Sequence, residues 1–369
     1  MRHPIVVAML CLAAFLSMVG VGMAVSSLPA KLLSLSGSVR SASWLASAFA
    51  VSYVLLQGPS GRMADRFGAR PLLALGFALM AVSGLCYALA QSPAAIFFGR
   101  FLQGAGEVPV WAAAPALLSR LEPQAKGRAI GLYGASFQLG LTVGPLAVLV
   151  LSWPFLGLAG LCAVCVLSVL LLVREPVSEK SEQGQASACR ALPVPSWTAN
   201  AATLLSGGSY ALSISLVPAF LLAAGLGRIG VQLSFTLVYL GFGLAQYGAG
   251  SLSDRLGRGG FMAGGAALAG LGLAGLSLVP LGLLPVGTAP ALLLAAGLGL
   301  GTYAAATLAA QCESVACEHR GLASGRYFLW WGLGYFAVPQ AVGALGPGMG
   351  CAVLGGLLLA LGVAMARRN

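Results

Sequence analysis

The chain has 369 residues, 59% of them apolar and 8% charged, with a mean hydropathy of +0.92. A soluble domain carries about 25% charged residues because its surface faces water, so a soluble globular protein is excluded. The formal net charge of +11 invites a nucleic-acid partner, which the placement of the basic residues argues against.

The apolar runs are long and lack the short alternation of barrel strands. A helix needs about 20 apolar residues to cross the hydrocarbon, and open strands leave backbone groups unpaired there. An all-α polytopic membrane protein of twelve spans follows. The first covers 5–28. Arg2 and His3 precede it as in a secretory signal, but its apolar run outlasts a signal's, so a permanent helix is expected. Pro29 is expected to end it. Span 2 covers 41–60 and runs into Gly61-Arg62-Met63-Ala64-Asp65-Arg66-Phe67-Gly68-Ala69-Arg70. Its glycines allow a tight turn, and Asp65 can accept from a neighbouring helix N-terminus. Arg66 and Arg70 can reach carboxylates or lipid phosphates. Such contacts suit a breakable latch, or the arginines merely keep the loop inside.

After span 3 (71–91), span 4 (94–119) contains Arg100, Gln103, Gly104, Gly106 and Glu107. An arginine at membrane depth costs about 2.5 kcal/mol or more unless it snorkels or is paired, so it is a functional candidate. Arg100 and Glu107 share a helix face about 10 Å apart along the axis, too far for a tight pair and within reach of a water bridge. Burial favours a neutral Glu107 and the arginine a charged one. A group poised in this way exchanges a proton, receives a cationic substrate group, or is a static carboxylate satisfied nearby. Span 5 (128–150) carries Gly131, Gly140, Gly144 and Pro145. Gly140-x-x-x-Gly144 makes a groove for close helix packing, and Pro145 removes a backbone donor. Span 6 (153–173) contains Cys162-x-x-Cys165, read as small apolar packing residues.

The polar stretch 174–196 reads as a linker. It divides an N-terminal bundle, 1–173, from a C-terminal bundle, 197–369. Span 7 (197–223) holds Ser206, Ser209, Tyr210 and Ser213, candidates for lining a path, and Pro218, expected to end it. Spans 8 to 12 cover 230–250, 261–282, 288–311, 321–345 and 348–366. Span 8 runs into Gly250-Ser251-Leu252-Ser253-Asp254-Arg255-Leu256-Gly257. Adding 189 to 61, 65, 66 and 68 gives 250, 254, 255 and 257, and the same offset carries Pro29 to Pro218 and Gln57 to Gln246. Two related halves follow. With both ends inside, 15 of the 20 basic residues fall on the inner side, as the positive-inside rule predicts.

The loop from Gly61 to Arg70 closely resembles the loop 2–3 signature of the major facilitator superfamily, and Gly250 to Arg258 resembles its second-half echo. The resemblance implies two pseudo-symmetric six-helix bundles, with Gly61, Asp65, Arg66, Gly68, Arg70, Asp254 and Arg255 as an inter-bundle latch. Span 4 is similar to the family's Arg-x-x-Gln-Gly-x-Gly motif, whose arginine is implicated in proton coupling. Glu107 stands where that motif usually has a small residue. Gly131, Gly140, Gly144 and Pro145 resemble the antiporter signature, although Val148 and Leu149 replace its later glycine pair.

The expectation is therefore a monomeric proton antiporter exporting a small organic molecule across a bacterial-type inner membrane, both termini cytoplasmic. Arg100 and Glu107 would couple protons, and Glu107, Gln103, Tyr210 and Ser213 would contact substrate. The alternatives are proton-coupled uptake of a nutrient or anion and a non-transporting receptor or assembly factor. The partners are substrate, protons and the bilayer, not nucleic acid. No Ser-His-Asp set, Walker loop or metal-ligand cluster is present, so no enzyme, cofactor or metal is expected.

Overall fold

The computed structural model describes residues 3–122, 124–173, 197–313 and 320–367; the linker expected over 174–196 lies outside them. The chain folds into α1 (Pro4–Ser36), α2 (Ser43–Phe67), α3 (Ala69–Leu89), α4 (Pro93–Leu121), α5 (Lys126–Val150), α6 (Pro154–Leu172) and α7 (Trp197–Ile214). There follow α8 (Leu216–Ala223), α9 (Arg228–Leu256), α10 (Arg258–Ser277), α11 (Ala289–Glu313), α12 (Arg320–Leu345) and α13 (Pro347–Ala366). Among the described residues, ten helical stretches are long and apolar enough to cross a membrane, α7 and α8 counting together. The other two long helices are α4 and α12, of 29 and 26 residues.

Two proline expectations need correction. Pro29 lies inside α1, which continues to Ser36. Pro218 interrupts span 7 instead of ending it. Lacking an N–H, it cannot bond the Ile214 carbonyl, and the helix breaks at Ser215 (φ −126, ψ −77). The Ser215 hydroxyl donates to the Ala211 carbonyl at 2.6 Å, and α8 resumes beyond it.

The two halves share one packing plan. In the first, α1 packs on α5, α2 on α4, and α3 on α4 and α6. In the second, α7 packs on α12, α9 on α11, and α10 on α11 and α13. Between halves, α2 meets α12 and α5 meets α9, the exchange that a twofold axis requires. Each seam seats a side chain against a glycine. A Cβ on Gly332 would lie 2.5 Å from Val54, and one on Gly243 would lie 2.3 Å from Gln138.

The last glycine of each loop copy also has a structural reason. Gly68 (φ 88) and Gly257 (φ 93) link α2 to α3 and α9 to α10, in a backbone region that L side chains avoid. These turns lie on the side where α6 ends and α7 begins, called here the linker side. On the opposite side the bundles are closed against each other. Gln340 donates to the Ser47 hydroxyl at 3.0 Å, Ser47 donates to the Phe336 carbonyl at 2.7 Å, and Ser43 donates to Gln340 at 3.1 Å. Arg228 donates to the Val148 carbonyl at 2.5 Å.

Candidate functional site

The site is built on α4. Gly104 packs against α2, where a Cβ would lie 2.4 Å from the Phe49 carbonyl oxygen, and Gly106 packs against α3, where one would lie 2.6 Å from the Gly76 carbonyl. Held between those neighbours, α4 turns the face of Arg100, Gln103 and Glu107 towards the other bundle. Positions 0, 3 and 7 lie on one stripe of a helix.

Charged groups taken out of water need partners to offset the cost, several kcal/mol per ion. Arg100 and Glu107 are only 3% and 8% exposed. Gln103 joins them, across a gap that a water could also have bridged. The Arg100 Nη1 donates to Gln103 Oε1 at 2.9 Å, and Gln103 Nε2 donates to Glu107 Oε1 at 2.8 Å. The Tyr87 hydroxyl also donates to Gln103 Oε1, at 2.7 Å. Arg100 Nε donates to the Leu45 carbonyl at 2.9 Å, and the guanidinium stands 4.8 Å from the Phe49 ring centroid.

These residues border a chamber of about 370 Å³ between the bundles. Its lining comes from α1, α2, α4, α5, α7, α9, α11 and α12, and reaches Gln57, Gln246 and Leu308 in the linker-side halves of α2, α9 and α11. With the opposite side closed, the chamber faces the linker side. Its walls are aromatic: Trp111 and Phe137 have centroids 4.0 Å apart, and Tyr210 lies 4.7 Å from Phe242 and 5.8 Å from Trp331. Gln138 donates to the Tyr239 carbonyl across the α5–α9 seam at 2.7 Å.

Among the residues singled out from sequence, Arg100, Gln103, Glu107 and Tyr210 come together here, and Gln57 and Gln246, matched by the repeat, both line the chamber. Ser213 does not: it is buried, and its hydroxyl donates to the Ser209 carbonyl at 2.8 Å. Cys162 and Cys165 are buried packing residues, Cys165 donating to the Ala13 carbonyl at 3.4 Å. Gly140 and Gly144 form the seat for α1: a Cβ would lie 2.4 Å from the Phe15 carbonyl and 2.5 Å from the Val19 carbonyl. Gly131 has open space around it, and α5 runs on through Pro145. Sequence reading missed Phe137, Gln138, Tyr239, Phe242 and Tyr335.

Of the latch residues, the side chains of Asp65 and Asp254 lie outside the described ones, as does Gly61's surroundings. Arg66 is exposed with its guanidinium over the Phe67 ring, and Arg255 is exposed. Arg70 donates to the Leu170 carbonyl at the end of α6. Beside the second copy, Arg258 pairs with Glu313 at 2.6 Å and donates to Ser253 at 2.6 Å. Both of these ties lie within a single bundle.

The family model described as Major Facilitator Superfamily matches residues 10–339. Multidrug resistance protein 2 of Bacillus subtilis (strain 168) is 24% identical over 172 residues, 44% of this chain and 42% of that protein. Puromycin resistance protein pur8 of Streptomyces alboniger is 35% identical over 123 residues, 33% of this chain and 24% of that protein. The matched stretch thus spans less than half the length of either relative. Among solved structures, a mutant form of the nucleoside transporter NupG superposes with a TM-score of 0.83 at 15% identity, covering 98% of this chain and 99% of that one. A POT family transporter in complex with 5-aminolevulinic acid gives 0.82 at 13% identity, covering 98% and 95%.

Proposed function

The chain belongs to the Major Facilitator Superfamily, and on that premise we propose that it exports a small organic molecule in exchange for protons. The resistance proteins among its relatives support the direction. The positive-inside rule, with 15 of the 20 basic residues expected on the inner side, supports a cytoplasmic linker side and cytoplasmic termini in a bacterial-type inner membrane. The chamber then faces the compartment from which an exporter collects its cargo. Inward proton flow drives outward movement as the two faces open in turn, the protein working as a monomer.

The observation that carries this reading is Glu107, a carboxyl buried in a span, bordering the chamber and tied through Gln103 to Arg100. Ionisable groups at membrane depth are expensive and mark ion or substrate pathways. Arg100 and Glu107 couple protons; Gln103, Glu107 and Tyr210 border the cargo; Asp65 and Arg66, with Asp254 and Arg255, latch the bundles. In everted vesicles acidified inside, labelled cargo should accumulate, and Glu107→Gln should abolish the dependence on the pH gradient. A Glu107→Gln protein with undiminished proton-driven flux would overturn the reading. Val148 and Leu149 standing where the antiporter signature has glycines favours a second reading, proton-coupled uptake. The direction of labelled flux separates the two.

A further inference from the structure

We infer that Gln246 is one half of a two-position tie: when the linker side closes, its amide crosses the α5–α9 seam and donates to the Gly131 carbonyl. This rests on the alternation of faces in the reading above, and not on what is carried or exchanged.

The other half of the tie is already made. Gln138 of α5 donates through Nε2 to the Tyr239 carbonyl of α9 at 2.7 Å. Its stem crosses α9 at Gly243, where a Cβ would stand 2.3 Å from Gln138 Cγ. Further from the linker, Arg228 ties the same two helices at the Val148 carbonyl. These two bonds fix an antiparallel register, because ten residues of α5, Val148 to Gln138, run beside eleven of α9, Arg228 to Tyr239.

Seven residues nearer the linker, about two turns, the arrangement recurs with the helices exchanged. Residues 138, 134 and 131 share one face of α5, and 239, 243 and 246 share one face of α9, at the spacings that align on a helix. The register that sets Gln138 beside Tyr239 therefore sets Gly131 beside Gln246. Here α9 supplies the amide and α5 the backbone. Gln246 is exposed, lines the chamber and has no hydrogen-bond partner among the described residues. Nothing lies within 4 Å of where a Cβ on Gly131 or Gly134 would stand, so the seam that Gln138 fills is parted at this level.

A carbonyl already bonded within its helix keeps a second lone pair, and at a glycine no side chain shields it from an approaching donor. Between the two levels each helix presents a glycine, Gly134 and Gly243, so α9 can roll over α5 with little bulk in the way. Closing the linker side then carries the Gln246 amide across the mouth of the chamber while the Gln138 bond is given up. One amide–carbonyl bond replaces another, and the seam favours neither facing strongly. Gly140 and Gly144 are needed for the present facing and Gly131 for the opposite one.

The test measures spin-label distances between the linker-side ends of α5 and α9 in the full chain in lipid nanodiscs. Gln246→Leu keeps the bulk and removes the donor. It should lower the linker-closed population about threefold to tenfold, the worth of one hydrogen bond, and Gln138→Leu should raise it by a similar factor. Gly131→Leu covers the carbonyl, and should deplete the linker-closed state without lowering the melting temperature. Gly260→Leu, at an equally open glycine of α10, should change neither. Wild-type populations in Gln246→Leu, or shifts of one sign from both glutamines, overturn the tie and leave alternation standing. A Gly131→Leu protein that melts early shows the space to be occupied in the present facing, and the proposal falls. A wild type with a single linker-side distance, with and without a pH gradient across liposomes, overturns alternation and the tie with it.

Discussion

Gln103 is the residue on which the charged pair depends. One planar amide accepts from Arg100 and Tyr87 and donates to Glu107, so it spans a gap that neither ion closes alone. Hydrogen bonds to charged groups are worth about 1.5–3 kcal/mol each, and here they also keep two buried charges from being isolated. Gln103→Leu keeps the bulk and removes the amide. The variant should lose about 2 kcal/mol or more of stability, seen as a lowered melting temperature in detergent. Its proton-driven flux should fall about tenfold or more. A Gln103→Leu protein that melts with the wild type would show that the amide holds nothing together. Tyr87→Phe removes one of the three bonds and should fall between the two.

At the scale of helices, the glycines of α5 divide into two kinds. Gly140 and Gly144 have the α1 backbone within 2.5 Å of where a Cβ would stand, while nothing lies within 4 Å of Gly131. Overpacking costs about 1–3 kcal/mol, and exchanging a helix-interior glycine for alanine gains up to about 1 kcal/mol where space allows. Gly140→Ala should therefore lower the melting temperature by several degrees, and Gly131→Ala should leave it unchanged or raise it. Equal losses from both would mean that α1 is not seated on α5 in this way. The sequence motif did not distinguish these glycines, because spacing reports which residues share a helix and not which face meets a neighbour. The same limit hid the aromatic wall. Phe137, Phe242 and Tyr335 are apolar residues in apolar helices, and facing lipid or a chamber leaves the same compositional trace. Ser213 looked like a path-lining group and instead bonds its own helix at Ser209. Arg100 and Glu107 were legible because a charge at membrane depth is costly wherever it points. The bundles were legible because apolar length and the 189-residue repeat need no side-chain register. Pro218 was half legible: its missing donor breaks the helix, but the chain resumes as α8.

The whole molecule is a pseudo-twofold object whose two seams are not equivalent on the side away from the linker. On the α2–α12 seam, Ser43, Ser47 and Gln340 bond to one another and to the Phe336 carbonyl. The offset of 189 carries Ser43 and Ser47 to Gln232 and Thr236 of α9, where Gln232 Nε2 donates to the Ser26 carbonyl of α1 at 3.5 Å. The α5–α9 seam has its own bonds, from Arg228 to Val148 and from Gln138 to Tyr239. Yet Gln232 Oε1 and Thr236 Oγ1 on α9 are buried without a partner among the described residues. A buried polar atom left unbonded costs about 1–3 kcal/mol, which water restores when the seam parts. Closure on this side is therefore assisted by the matched groups of one seam and penalised by those of the other, and substitutions at these matching positions should act with opposite sign. Ser47→Ala removes bonds that exist only when the side is closed and should raise the population open on that side. Thr236→Val removes an atom satisfied only when the side is open and should lower it. At about 1 kcal/mol each, the shifts are roughly fivefold in population. Spin-label distance distributions across the opposite-side ends of α2 and α12, and of α5 and α9, measure both. Shifts of the same sign would mean that the two seams work alike, and that the unbonded hydroxyl of Thr236 has no part in how the molecule alternates.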